Sequence, residues 1–116
     1  MSTRDQVTIW AWQDNAWSND RGSLNGFGVE AVDGSIGKID EATYDVGASY
    51  VVVDTGPWIF GKKVMLPAGV IERIDYDDET VYVNQNKEQI KNSPEFDEST
   101  YRDDDYRSRV GDYYLR

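Results

Sequence analysis

The side chains of this chain that could do acid–base or metal chemistry are almost all carboxylates. There are 22 Asp and Glu against 12 Lys and Arg, and there is no histidine and no cysteine. The missing residues remove the commonest general base, the commonest metal ligand, thiolate catalysis and disulfides. Asp75, Asp77, Asp78 and Glu79 lie close together, as a calcium loop would require. Such a loop also needs a Gly at its sixth position and a distal Glu, and this segment lacks the Gly. A solvated hairpin turn is therefore expected there, with weak divalent-ion binding as the alternative. The run Asp103-Asp104-Asp105 reads as part of a flexible tail, because nothing makes neighbouring carboxylates on a mobile chain converge. Glu41 and Asp45 could serve as an acid and a base, but with carboxylates so plentiful the spacing singles out no pair. Gly26-Phe27-Gly28 comes before a strand instead of following one, so it predicts a turn, not a nucleotide loop. No catalytic, cofactor-binding or metal-ligating residue is assigned.

The aromatic residues are more informative. Trp10, Trp12 and Trp17 fall in the first 24 residues, and Trp58 and Phe60 sit in Gly-Pro-Trp-Ile-Phe-Gly after an apolar run. Large rings of this kind either cap the end of a small core or anchor a protein interface. Trp10 and Trp12, two apart, share a face if extended, either as an added strand or presented to a partner. Tyr101, Tyr106, Tyr113 and Tyr114 imply a tail that docks on its own domain or on a second subunit, because disordered tails are poor in aromatics. Candidate interface residues are Trp10, Trp12, Trp17, Trp58, Phe60, Tyr113 and Tyr114.

The elements that must position these residues read as β throughout the middle of the chain. Gly28 to Val32 and Ser35 to Ala42 form a hairpin around Asp33-Gly34, a pair suited to a type I′ turn. Gly37 marks a bulge or a close backbone approach. Tyr50-Val51-Val52-Val53 is a strand buried on both faces. Lys63 to Leu66, Ile71 to Tyr76 and Thr80 to Val83 follow, the last with Val81 and Val83 on one face. Lys87 to Lys91 is the one helical candidate, limited by Pro94. The pattern predicts an all-β fold, a small barrel of about five or six short strands. The predicted divisions are a Trp-containing leader (1–24), a barrel domain (25–97) and an acidic Tyr-rich tail (98–116), with leader and tail irregular. At 116 residues one core is expected. A net charge of −10 disfavours DNA, RNA and anionic membranes as partners. No apolar run reaches the roughly 20 residues that span a bilayer, and no signal peptide is evident, so a cytoplasmic location is expected.

The turns and apolar positions of Gly26 to Asp45, of SYVVVDTGPWIFGKKVMLP, and of Leu66 to Asp97 resemble the PRC-barrel domain, named for the cytoplasmic part of the photosynthetic reaction-centre H subunit. The likeness covers roughly residues 25 to 97. The end, Val110-Gly111-Asp112-Tyr113-Tyr114, is similar to that of small stand-alone actinobacterial members. The resemblance implies a β-barrel adaptor with no cofactor, whose protein partner it leaves unspecified. A homodimer is the expected state. The alternatives are a small-molecule or ion-binding barrel using the end near Gly56 to Gly61, a ribosome-assembly role by family analogy, and an enzyme built from carboxylates and tyrosines alone.

Overall fold

The computed structural model describes residues 9–12, 22–44, 49–56 and 62–115. Six strands follow in order: β1 (Gly28–Ala31), β2 (Gly34–Ala42), β3 (Tyr50–Asp54), β4 (Lys63–Pro67), β5 (Ile71–Asp75) and β6 (Thr80–Val83). Two helices come after them, α1 (Lys87–Lys91) and α2 (Asp104–Tyr114). The strands make one mostly antiparallel sheet in the order β4-β3-β2-β1-β6-β5, with β1 and β6 parallel. Val51, Val52 and Val53 are all buried in β3, as a continuous β-branched run predicts. In β1 and β6 burial alternates, with Val29 and Ala31, then Val81 and Val83, facing the core. Each aliphatic side chain fully buried in this way contributes about 1.5–3 kcal/mol relative to exposure.

Closure of the sheet differs from expectation. Among the described residues the end strands β4 and β5 share no hydrogen-bonded ladder. A single 3-10 turn, Ala68–Val70, joins them. Pro67 ends β4 and has no N–H to extend its pairing.

The hairpin turn is also displaced by one residue. Ala31 pairs with Gly34, so the loop residues are Val32 and Asp33. Neither has positive φ, which excludes type I′, whereas Gly34 has φ +141°. The tip is held from outside the hairpin. Val32 N–H donates to the Gln85 carbonyl (3.0 Å), and the Asp33 carboxylate accepts from Lys87 N–H (2.8 Å). Tertiary contacts override the local turn preference here.

Gly37 fulfils both readings of its position. The register slips between its neighbours in β1, and a Cβ on Gly37 would lie 2.1 Å from the Asp54 carbonyl oxygen. Gly26, at φ +89°, occupies a turn closed by Phe27 N–H donating to the Leu24 carbonyl (3.1 Å). Helix α1 has the predicted bounds, with Asn86 and Gln89 forming a capping box.

The tail is not irregular, and Asp103-Asp104-Asp105 is not a flexible run. Asp103 is the N-cap position of α2, and Asp104 and Asp105 lie in its first turn, where carboxylates oppose the positive end of the helix dipole. Tyr106, Val110 and Tyr114 recur every four residues and are buried as one stripe. That spacing was present in the sequence and is the signal for this helix.

Candidate functional site

Trp10 is 4% exposed and packs edge-to-face on Tyr50, with centroids 6.3 Å apart. Its carbonyl accepts from Ser49 N–H at 2.9 Å. Ile9 lies against the 3-10 turn, so closely that a Cβ on Gly69 would come 2.6 Å from the Ile9 carbonyl oxygen. Trp12 is half-buried and stacks on Tyr44 at 5.8 Å. At the other end of the chain, Tyr114 is buried and Tyr113 half-buried, with the Tyr113 hydroxyl donating to the Gln89 carbonyl (2.5 Å). The described parts of leader and tail thus pack on their own domain. Trp17, Trp58 and Phe60 lie outside the described residues.

The densest polar constellation centres on Glu41. Asp40 is the extra residue of a bulge in β2 against β3. The bulge sends Asp40 to Lys63 (3.0 Å) and Glu41 toward the tail. The Glu41 carboxylate accepts from Tyr101 Oη (2.8 Å), Tyr50 Oη (3.2 Å) and Arg102 Nη2 (3.3 Å). Burial, reinforced by the hydrogen bond to Glu41, pushes the Tyr101 hydroxyl up to about 12. Burial and the Glu41 charge raise Tyr50 as well. A carboxylate with three donors already in place acts as an anchor between sheet and tail. Asp45 lies outside the described residues. Sequence reasoning missed Tyr101 and Arg102 as partners of Glu41. The separation of 60 residues carries no local signal.

The acidic turn is the connection between β5 and β6, spanning residues 76–79. Asp75 Oδ1 accepts from Asp78 N–H (3.0 Å), and Glu79 has φ 51°. Among the described residues no three acidic side chains are grouped so as to hold a metal ion. A groove of about 320 Å³ runs between β4, the end of α1 and residues 94–96, lined by Lys62, Lys63, Lys91, Asn92 and Phe96 among others. Two of its cations are already paired, Lys62 with Glu95 (2.6 Å) and Lys63 with Glu98 (2.9 Å) and Asp40. Those carboxylates raise the Lys63 ammonium above its usual range, and Lys62 lowers Glu95. Among the described residues no helix is long and apolar enough to cross a membrane.

These features define a class, a small six-stranded β domain with a filled interior and a C-terminal strap fastened to the β4 side. No protein-family model matches the chain, and no curated protein matches it.

Proposed function

We propose that the chain is a non-enzymatic, cytoplasmic protein-interaction module of the PRC-barrel type that associates with itself. In this reading the six-stranded sheet is the barrel, and the Ala68–Val70 turn bridges its two end strands. The observation that carries the proposal is how the reactive side chains are used. Glu41, Lys62 and Lys63 are engaged in fastening the C-terminal strap, and the interior is filled by aliphatic and aromatic side chains. What remains for function is the outer surface. The net charge of −10 favours a protein partner over nucleic acid.

Sedimentation velocity over a wide concentration range tests the reading, with a reversible monomer–dimer equilibrium expected. A strict monomer at every concentration, together with a metabolite that raises the melting temperature, would favour the ligand-binding alternative at the lysine-lined groove. Salt-sensitive RNA binding in a gel shift would favour the ribosome-assembly alternative.

A further inference from the structure

The C-terminal strap, residues 94–115, holds together by its own contacts. Phe96 packs on Tyr101 and Tyr106, the Tyr106 hydroxyl donates to the Pro94 carbonyl (3.1 Å), and Tyr101 N–H donates to the Asp97 carbonyl (2.9 Å). Its polar fastenings to the rest of the chain lie at the surface. They are the Lys62–Glu95, Lys63–Glu98 and Arg102–Glu41 contacts, with the Lys62 and Glu95 side chains 51% and 76% exposed. Exposed ion pairs of this kind contribute little to stability. The deeper hold is apolar, the buried stripe of Tyr106, Val110 and Tyr114 on α2, which packs beside β4. One short junction joins strap to domain. Helix α1 ends at its C-cap Asn92, and Ser93 closes that end by donating its N–H and Oγ to the Ile90 carbonyl (3.2 and 2.7 Å). Pro94 follows with no N–H to continue the helical bonding, and residues 94–97 are in neither helix nor strand.

A strap pivoting at residues 92–94 leaves its apolar stripe in water and uncovers the side of β4 on which it packs, and both surfaces are driven to be buried again. The surface that fits the stripe and meets Glu95 and Glu98 with lysines is that same side, on its own chain or on another copy. Exchange between two copies re-forms every contact of the closed chain, so what opposes it is the entropy of association and the change at the hinge. We propose that this chain self-associates by exchanging its C-terminal strap, residues 94–115 of each copy fastening to Glu41, Lys62 and Lys63 of the other. The proposal rests on the self-association reading above and names the segment that performs it. Each strap must open before it can exchange, so monomer and dimer interconvert slowly.

The test uses the unmodified full chain. Isotope-labelled and unlabelled chains are mixed in equal amounts, unfolded together in urea, refolded at about 1 mM and separated by size. A carbodiimide then joins lysine amines to the carboxylates they touch, here Lys62 to Glu95 (2.6 Å) and Lys63 to Glu98 (2.9 Å). In the dimer fraction about half of these linked peptides are expected to pair a labelled with an unlabelled partner, and in the monomer fraction none. The variant K62E/E95K gives a second readout. It leaves the net charge at −10 (−10 − 2 + 2) and keeps opposite charges together in its own dimer, whereas a mixed dimer with the unmodified chain sets Lys against Lys and Glu against Glu. Mixed dimers are expected to fall about three- to tenfold below their statistical share. A dimer whose links stay within one isotope, or mixed dimers at the full statistical share, overturns strap exchange and leaves self-association standing. A chain monomeric at every concentration overturns both.

Discussion

Two residues carry backbone conformations with opposite consequences. Gly37, at φ +148°, lies where a Cβ would meet the Asp54 carbonyl oxygen at 2.1 Å and Thr55 Cα at 2.9 Å. Neither obstacle is a flexible side chain, so β2 and β3 must part to admit even a methyl group. Gly37→Ala is expected to destabilise the fold by about 3 kcal/mol or more, read from the urea midpoint. Glu79, at φ 51°, is in the left-handed region without being glycine or asparagine. That conformation costs roughly 1–2 kcal/mol, while the extra unfolded-state freedom of glycine offsets about 0.5–1 of it. Glu79→Gly is therefore expected to stabilise the fold by about 0.5–1 kcal/mol, with an unchanged urea m-value.

At the scale of elements, the C-terminal strap is held by an aromatic chain and a polar anchor. Phe96 contacts Tyr101 (4.7 Å between centroids) and Tyr106, and Tyr101 packs edge-to-face on Tyr50. The anchor is Glu41, shared by the Tyr50 and Tyr101 hydroxyls. Tyr101→Phe is expected to cost about 1.5–3 kcal/mol, the net worth of one hydrogen bond to a charged group. Because Tyr50 and Tyr101 share one acceptor, their effects are not additive. A double-mutant cycle with Tyr50→Phe is expected to give a coupling of at least about 0.5 kcal/mol in urea denaturation.

At the scale of the molecule, pH dependence follows from composition and burial. With no histidine, no side chain has an ordinary pKa between about 5 and 8, so stability is expected to be level from roughly pH 6 to 9. Burial pushes Tyr101 and Tyr106 up to about 12 and raises Tyr50 and Tyr114, against 10.0 when unfolded. Between those values the unfolded chain loses protons that the folded one keeps. The tyrosine contribution is thus fully present below pH 10 and is lost as pH rises from about 10 to 12. Melting temperature against pH, with phenolate absorbance near 295 nm followed in parallel, checks this. Unfolding and ionisation are expected to coincide.

Much of the β scaffold was legible without coordinates. The alternation at Val81 and Val83, the β-branched run at 51–53 and the glycine at 37 are local constraints, each acting over a few residues. Helix α2 was legible too, from Tyr106, Val110 and Tyr114, but its acidic start disguised it. The shift of the Val32–Asp33 turn, the convergence of Tyr50, Tyr101 and Arg102 on Glu41, and the fastening of the C-terminal strap beside β4 were decided only by tertiary structure. Each depends on segments far apart in the chain meeting at one place. Periodicity and turn chemistry specify how a segment folds on itself, whereas the contact that fastens it to another segment leaves no pattern within either.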